Sequence, residues 1–497
     1  MPILEWLNKG EATKVTKKLP YRILKANAEL SYGEQSENMI IKGDNLEALQ
    51  ALLPYYKGQV KCVFIDPPYN TKKAFDKYDD NLEHSIWLSL IYPRVELLRE
   101  LLSEDGVIFI TLDESEVAYF KIICDEIFGR TNYLGDFIWQ KRKGGGNDSY
   151  FFAIDHDYVL VYVKNKNKSL HPKKWRVTQS EEYRKRYKEI DENGKRYYWD
   201  TVARDGLQNP IPVNISCPDG TTLNINSQES EESILRGLEN GNVRLIKGKK
   251  GWTLHHRVYM KEGQVLRSIL TDVGTNKTAG DEIEALFGDS KAFDYPKPEL
   301  LISRLIELCT KEGDCVLDSF LGSGTTCAVA QKMGRRYIGI EMGEHAVTHC
   351  VPRMKAVIDG EQGGISKTVN WNGGGGYTFY DLGETIFDEN GNINKQVDFR
   401  TLASHVWFTE TKTPLTNYEK SPLLGIHNGV AYYLLFNGIL GDKKPDGGNV
   451  LTQKVFNSLP QFSGKKVIYG EATRMNTQKL KDNNIVFKQT PYDVKAR

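Results

Sequence analysis

Residues 62–70 read CVFIDPPYN, an apolar run that ends in an acid, two prolines and an aromatic residue. The apolar part is typical of a buried parallel strand. Each proline fixes its own φ angle and lacks a backbone N–H, so the turn after the strand is rigid. The stretch predicts a pocket at the end of the strand for a flat ring with an amino group. Asp66 and the carbonyl of Pro67 would accept its N–H groups, and Tyr69 would stack on the ring. The alternative is a plain strand-to-loop turn.

A second informative stretch follows about 250 residues later, where residues 316–326 read VLDSFLGSGTT. The pattern predicts a short strand, a glycine turn and the start of a helix. Gly322 and Gly324 allow the backbone to approach a ligand closely, and the hydroxyl of Thr325 or Thr326 is expected to cap the helix. The start of such a helix suits a polar or negatively charged group.

A third feature is Glu341, which ends the predicted strand 337–340 and lies 23 positions after Asp318. This is about the spacing at which an acid meets a ribose in nucleotide-binding βαβ units. A Gly-x-Gly turn alone is often only a tight turn, but together with Glu341 it favours a nucleotide-like ligand. Ligands of doubly wound parallel sheets bind at the carboxyl ends of the strands. Both Asp66 and Asp318 are expected at such ends, so the two stretches should meet in space.

The two stretches together resemble the DNA amino-methyltransferases that use S-adenosylmethionine. The base pocket precedes the cofactor turn, which is the circularly permuted order called the beta class. The resemblance implies a Rossmann-like, doubly wound, mostly parallel α/β sheet. It also implies methyl transfer to the N6 amino group of an adenine flipped out of double-stranded DNA. The catalytic residues would be Asp66, Pro67, Pro68 and Tyr69.

Smaller segments extend the resemblance to the cofactor site. Residues 41–49 look like the family's Gly-Asp segment, and residues 295–302 are similar to the segment near the cofactor's methionine end. Ser319 departs from the proline that many members carry. The cofactor-binding residues that the resemblance implies are Asp44, Lys297, Pro298, Asp318, Phe320, Gly322, Ser323, Gly324, Thr325, Thr326 and Glu341.

More distal segments resemble one branch, the modification subunits of type III restriction systems. These are residues 371–377, 467–472 and 487–492. The resemblance implies a homodimer and a separate helicase–nuclease restriction subunit as partners. The chain has no phosphate-loop Gly-x-x-x-x-Gly-Lys-Ser/Thr motif, so translocation and cleavage are not expected of it.

The predicted organisation has five parts. The polar, Pro- and Gly-punctuated region after the first catalytic part is too long for one loop of a compact sheet, so it is interpreted as an insertion. The parts are an N-terminal arm (1–35), the first catalytic part (36–164), an inserted target-recognition domain (165–292), the second, cofactor-binding catalytic part (293–360) and a C-terminal α+β domain (361–497).

Candidate DNA contacts lie in a basic stretch. Residues 141–200 contain 15 Lys and Arg against 9 Asp and Glu, interleaved with aromatic residues. Lys141, Arg142 and Lys143 precede three glycines and predict a cationic loop that contacts phosphates near the pocket. His156 is a further candidate beside the flipped base, although a core-strand position is the alternative. A solvated charged helix explains about half of the basic run equally well.

Composition excludes some classes. No apolar run of about 20 residues and no secretory pattern are visible, so the chain is expected to be cytoplasmic, without contact with a membrane. The 7 cysteines form no Cys-x-x-Cys pair, so reduced cysteines in the core and no metal site are expected. The net charge of +1 does not by itself indicate a nucleic-acid partner.

Several alternative functions stay open. Asp-Pro-Pro-Tyr is more typical of N6-adenine enzymes, but N4-cytosine methylation uses the same amine geometry, and an orphan methyltransferase is possible. Methylation of RNA or of protein glutamine uses similar pockets, usually without a large insertion. A non-catalytic DNA-binding specificity subunit is disfavoured by the intact motifs. A nicotinamide dehydrogenase is disfavoured because the full Gly-x-Gly-x-x-Gly spacing is missing.

Overall fold

A computed structural model describes residues 3–70, 83–144, 151–169, 175–177, 179, 181–203, 206–261, 263, 265–388, 392–415 and 420–494. The chain divides into two compact units. One consists of residues 1–175 and 267–497, and the other of residues 176–266. The first is called the main unit below, and the second the inserted unit.

The strands are β1 (Arg22–Gly33), β2 (Met39–Lys42), β3 (Val60–Ile65), β4 (Leu102–Leu112), β5 (Tyr133–Gln140), β6 (His156–Val163), β7 (Glu189–Ile190), β8 (Arg196–Thr201), β9 (Ile211–Ser216), β10 (Thr222–Ser227), β11 (Val243–Gly248), β12 (Gly251–Tyr259), β13 (Ile269–Leu270), β14 (Cys315–Asp318), β15 (Arg336–Glu341), β16 (Gly376–Thr385), β17 (Leu423–His427), β18 (Val430–Leu434), β19 (Val450–Leu451), β20 (Lys465–Gly470), β21 (Ala472–Thr473) and β22 (Ile485–Gln489).

The α-helices are α1 (Lys9–Lys18), α2 (Asn45–Tyr56), α3 (His84–Leu101), α4 (Val117–Cys124), α5 (Lys166–Ser169), α6 (Glu181–Lys185), α7 (Glu231–Glu239), α8 (Asn276–Phe287), α9 (Glu299–Cys309), α10 (Thr325–Lys332), α11 (Val351–Ile358), α12 (Phe399–Thr411), α13 (Gln453–Ser458) and α14 (Thr477–Asp482).

The main sheet has ten strands among the described residues, in the order β1-β16-β2-β15-β14-β3-β4-β6-β5-β13. The six strands from β16 to β4 in this order run parallel to one another. The strand β1 is antiparallel to β16, and β6 is antiparallel to both β4 and β5. The short central strands are apolar along most of their length, as expected for parallel strands that are covered on both faces. The predicted doubly wound, mostly parallel sheet is confirmed.

Alternate residues of β3 explain how both faces are covered. Val63 and Ile65 pack into a core with residues of α2 and α3, such as Leu52 and Leu98. Phe64 points to the opposite face by strand alternation and is also buried. The helix α9 contacts β3 and β4, and α10 contacts α9, α11, β14 and β15. Helices therefore flank the sheet, and its carboxyl edge stays available for a site.

Two helices near the first motif have local irregularities. The helix α3 contains Pro93 within its length. The helix α4 ends at Cys124, and residues 125–129 continue as a π-helical turn.

The inserted unit has its own sheet and core. Its strands form the order β11-β12-β8-β7 and a separate β9–β10 hairpin. Six of its buried apolar residues, among them Val213, Ile234 and Leu254, form one cluster within residues 202–254. The sheet strand β13 and the helix α8, which follow this unit, belong to the main unit.

The strands β1 and β16, in the ranges predicted as N-terminal arm and C-terminal domain, are part of the main sheet. Residues 423–489 form a second sheet of the order β17-β18-β20-β22, with α13 and α14 in its connections. The five-part division of the chain stays a prediction.

All seven cysteines are free, and six of them are buried. No helix in the part of the chain that the structure describes is long and apolar enough to cross a membrane.

Candidate active site

The site lies along the carboxyl edge of four neighbouring parallel strands, β2, β15, β14 and β3. These strands lead in turn to Asp44, Glu341, Asp318 and Asp66. The two motifs that are far apart in the sequence are adjacent in the sheet, because β14 pairs with β3 and Leu317 lies opposite Val63. The expected convergence of the two stretches on one edge is therefore observed.

Asp66 is held by two donors. The hydroxyl of Thr111, near the end of β4, donates to Oδ1. The ammonium of Lys297 forms an ion pair with Oδ2. The Asp66 side chain keeps 23% of its surface exposed and that of Lys297 only 7%. The carboxylate is thus oriented but still reachable from the edge of the sheet.

The prolines and the residue after Tyr69 fix the shape of the motif. Trp87 of α3 donates its indole N–H to the carbonyl of Pro68 at 2.9 Å. Pro67 is buried. Asn70 has a left-handed backbone with φ 59° and donates its side-chain N–H to Glu116 Oε1 at 2.6 Å. The rigid turn predicted from the prolines is therefore anchored at its end by a buried carboxylate.

Tyr69 is partly exposed and connects the motif to β6. Its hydroxyl lies 3.4 Å from Asp157 Oδ2. Burial raises the Tyr69 pKa well above its ordinary value, and the charges of Asp66 and Asp157 act in the same direction. The phenol therefore stays neutral. Burial also raises the pKa of Asp157, although the positive charges of Lys297 and Lys141 oppose this effect.

Asp318 organises the glycine turn from inside. Its carboxylate accepts the backbone N–H of Phe320 at 2.9 Å and the hydroxyl of Thr326 at 2.6 Å. Complete burial raises its pKa to about 7, and the nearby charges of Asp66 and Glu341 add to the shift. Glu341 accepts the backbone N–H of Gly322 at 2.7 Å, which ties β15 to the same turn.

The two glycines of the turn adopt left-handed φ angles, 57° at Gly322 and 86° at Gly324. A Cβ atom at Gly322 would lie 3.0 Å from the ring of Phe293, so the turn also needs a residue without a side chain. Phe320 is partly exposed at the start of this turn.

The predicted capping by Thr325 or Thr326 is wrong. Gly324 is the N-cap residue of α10 and no side chain caps the helix. The hydroxyl of Thr325 instead accepts from Arg353 at 2.8 Å and lies 3.1 Å from the hydroxyl of Ser323. Thr326 is held by Asp318, so both hydroxyls face the protein interior.

Asp44 caps α2, accepting the backbone N–H groups of Leu46 at 2.9 Å and Glu47 at 3.3 Å. It also forms an ion pair with Arg94 of α3 at 2.9 Å, and its side chain is 36% exposed. The next residue, Asn45, donates to the carbonyl of Ser319 at 2.7 Å. The Gly-Asp segment is thereby linked to the glycine turn.

Lys297 and Pro298 lie directly before α9, with Pro298 as its N-cap residue. Both are buried. The Lys297 ammonium is engaged with Asp66, so the segment reaches the base-pocket motif. Its predicted contact with the cofactor stays a prediction.

The predicted DNA-contacting residues lie at the same edge of the sheet, because β5 ends there and β6 begins there. Lys141 forms an ion pair with Asp157 at 2.6 Å and Arg142 with Asp155 at 2.7 Å. Lys143 is exposed. The partly exposed His156 has its ring 5.1 Å from that of Tyr158. Residues 145 and 146 of the predicted cationic loop lie outside the described residues, and the contacts with DNA stay predictions.

Sequence reasoning missed four polar residues that hold the site: Thr111, Asp157, Arg94 and Arg353. Thr111 lies near the end of β4, which is next to β3, and Asp157 lies near the start of β6, which is next to β4. Listing polar residues at the strand ends would therefore have found both. Arg94 and Arg353 lie inside helical patterns, where no local signal separates a buried arginine from an exposed one.

Among the described residues, no group of histidine, cysteine and acidic side chains could hold a metal ion. Carboxylates, aromatic rings and a helix start are the groups that the structure places at this edge. Such a set can accept N–H groups from an amine at Asp66 and hold a polar cofactor at the neighbouring turn.

Comparisons with known proteins agree with this reading. The family model N6_N4_Mtase, described as DNA methylase, matches residues 60–351. The "Probable type III restriction-modification enzyme HindVI Mod subunit" of Haemophilus influenzae is 36% identical over 412 residues, which cover 71% of this chain and 55% of that protein. The type III StyLTI Mod subunit of Salmonella typhimurium is 31% identical over 338 residues, 60% of this chain and 50% of that protein.

A further relative is the type II methyltransferase M.KpnI of Klebsiella pneumoniae. It is 29% identical over 339 residues, which cover 61% of this chain and 78% of that protein. The chain spans about half the length of the two Mod subunits that it matches.

Proposed function

Because the chain belongs to the DNA methylase family whose model matches it from residue 60 to residue 351, we propose that it methylates DNA at a specific site. The methyl group of S-adenosylmethionine goes to the N6 amino group of an adenine that has left the double helix. The observation that carries the proposal is the pairing of β14 with β3, which places Asp66 beside the glycine turn.

The residues around the glycine turn fit S-adenosylmethionine. The left-handed turn at Gly322 and Gly324 lets the backbone approach a ligand. The start of α10 has no side-chain cap and suits a carboxylate such as that of the cofactor's methionine part. The carboxylates of Glu341 and Asp44 end neighbouring strands and suit ribose hydroxyls. When bound, the cofactor supplies an electrophilic methyl group.

Asp66 and Tyr69 hold the base in the proposed reaction. An amino group on an aromatic ring is a poor nucleophile, since its lone pair is delocalised into the ring. Accepting its N–H bonds at Asp66 and at the Pro67 carbonyl favours a more pyramidal nitrogen with a localised lone pair. Positive charge grows on this nitrogen as the N–C bond forms and the bond from the methyl group to sulfur breaks. The Asp66 carboxylate stabilises that charge, and the nitrogen then gives a proton to solvent water.

Positioning supplies much of the remaining acceleration. Trp87 and Glu116 fix the two sides of the Pro-Pro-Tyr turn, and Thr111 orients the carboxylate of Asp66. A base that enters such a site meets preoriented groups, and the reaction then avoids most of the entropy cost of alignment.

Adenine is favoured over cytosine because the motif begins with aspartate, where N4-cytosine members often carry serine. The similarity to two type III Mod subunits supports a role as the modification subunit of a type III restriction-modification system. Its partners would then be double-stranded DNA, a second copy of the chain and a restriction subunit. With DNA as the substrate, the proposed location is the cytoplasm.

One experiment tests both the activity and the base. The purified protein is incubated with mixed genomic DNA and methyl-labelled cofactor, the DNA is digested, and the labelled nucleoside is identified. We expect N6-methyl-deoxyadenosine. Label in N4-methyl-deoxycytidine would support the cytosine alternative. Cofactor binding without any transfer to DNA would support a non-catalytic specificity subunit.

A further inference from the structure

The ammonium of Lys297 lies in a cage of opposite charge and aromatic faces. It forms an ion pair with Asp66 Oδ2 and lies 5.1 Å from the centroid of the Tyr69 ring. The centroid of the Trp139 ring lies 6.0 Å away. Carboxylates and aromatic faces are the groups that stabilise a desolvated cation.

Two of these groups are the ones that the proposed function assigns to the target base. Asp66 would accept an N–H of the amino group and Tyr69 would stack on the ring. An amino group that donates to Oδ2 has to compete with the Lys297 ammonium for the same oxygen. The lysine therefore occupies the amine position of the pocket in the free protein.

A second carboxylate lies close by. The positive charge of Lys297 is the strongest of the charges that counteract the effect of burial on the Asp157 pKa. Asp157 also lies 3.4 Å from the Tyr69 hydroxyl and already binds Lys141. A lysine displaced from Asp66 thus has an anionic partner within the same pocket wall.

The electrostatics of the reaction favour this movement of the Lys297 ammonium from Asp66 to Asp157. Positive charge grows on the amino nitrogen during methyl transfer, and an ammonium beside Asp66 would repel it. With Lys297 at Asp157, the Asp66 carboxylate is left to stabilise the growing charge.

We propose, on the basis of the proposed function, that the Lys297 ammonium occupies the position of the target amino group at Asp66 in the free protein. The target base then displaces this ammonium toward Asp157. Lys297 is a positioning residue that lowers the apparent affinity for DNA and keeps the Asp66 carboxylate paired while no base is bound.

The test removes the Lys297 side chain by mutation and supplies the missing part as a free ion in solution. Lys297→Ala retains Cβ, and n-propylammonium restores the missing three carbons and the ammonium. Lys297→Met keeps most of the packing without the charge. Lys291→Ala is the matched control, since Lys291 is exposed on the same approach to α9.

We expect propylammonium chloride to raise the thermal midpoint of Lys297→Ala above its value in equal sodium chloride. It should have no such effect on the wild-type protein, Lys297→Met or Lys291→Ala. The KM for DNA should fall about tenfold in Lys297→Ala and Lys297→Met, and propylammonium should reverse the fall in Lys297→Ala alone by competing with DNA.

Two results would overturn the inference. One is the absence of a propylammonium effect on the thermal midpoint of Lys297→Ala. The other is a rise in its turnover with propylammonium, which would make the ammonium a required group of the reaction. If the midpoint shifts as expected but the wild-type protein methylates no DNA, the proposed function is wrong. The binding of an ammonium between Asp66 and the aromatic rings would still be supported.

Discussion

At the scale of single residues, the site depends on how its carboxylates are paired. Asp66 is oriented by Thr111 and Lys297, and Asp318 by Thr326 and the backbone of Phe320. The first carboxylate is partly exposed and suits a ligand that donates N–H groups. The second is completely buried, so its role is to shape the glycine turn.

Asp66→Ala tests the role of the exposed carboxylate. We expect methylation to fall by about 10² to 10³-fold, the usual effect of removing one group that stabilises transition-state charge. Cofactor affinity, measured by calorimetry, should stay near the wild-type value. Asp105→Ala is the control, because Asp105 pairs with Lys61 near the start of β3, at the other end of the strand. Wild-type turnover of Asp66→Ala would refute the assignment.

Asp318→Asn tests the buried carboxylate through pH. Burial raises the Asp318 pKa from 3.8 to about 7, so the folded protein resists its ionisation. The stability that the protonated group contributes is complete below pH 3.8 and is lost as the pH rises through about 7.

We therefore expect the wild-type protein to lose more stability between pH 5 and pH 8 than Asp318→Asn, by on the order of 2 to 4 kcal/mol. Urea denaturation of both proteins at the two pH values measures the difference. Equal pH dependence in the two proteins would show that Asp318 ionises normally when folded.

At the scale of elements, the connection from β14 to α10 decides where a cofactor can lie. It starts in Asp318, turns at Gly322 and Gly324, and is held from β15 by Glu341. The strand ends and the helix start belong to one hydrogen-bonded loop, so a ligand bound there is fixed relative to Asp66 on the next strand.

Gly322→Ala tests this loop, with Gly313→Ala as the matched control. Both glycines have left-handed φ angles, 57° and 80°, so each substitution should cost about 1 kcal/mol of folding stability. A new Cβ meets Phe293 at position 322 but has nothing within 4 Å at position 313. Cofactor affinity, measured by calorimetry, should fall about tenfold only in Gly322→Ala. A similar loss in both variants would point to general destabilisation.

At the scale of the whole molecule, the chain builds separate cores. The largest apolar cluster draws its residues from the main unit alone, between Tyr21 and Val494 with none from residues 176–266. The inserted unit buries its own cluster within residues 202–254. We therefore expect the main sheet to fold without apolar contacts in the inserted core.

Replacing residues 176–266 with a flexible Gly-Ser linker tests this independence. We expect the thermal midpoint of the main unit and its affinity for cofactor to change little, because the strands of the main sheet and the glycine turn are retained. Site-specific methylation should be lost if the inserted unit reads the DNA sequence. Loss of cooperative unfolding would show that the two cores stabilise each other.

The two motifs could be predicted from the sequence because the structure of each depends on neighbouring residues. An apolar run followed by Asp66 and two prolines specifies a strand and a rigid turn, and glycines at 322 and 324 specify a turn with left-handed φ angles. The spacing from Asp318 to Glu341 reflects one βαβ unit. Together with the resemblance to DNA amino-methyltransferases, these local patterns were sufficient to predict a mostly parallel sheet, which the structure shows.

The partners of those motifs were decided only by the tertiary structure. Nothing local in Lys297 indicates that its ammonium binds Asp66, and Arg353 looks like any helical arginine until its burial beside Thr325 is known. The cap of α10 was mispredicted because both threonines have buried partners that no local pattern reveals. The sequence by itself determined the two motifs that end at the edge, since periodicity and turn chemistry act over a few residues. Only the packed sheet decided which charges pair across it, because such pairing depends on distances between segments far apart in the chain.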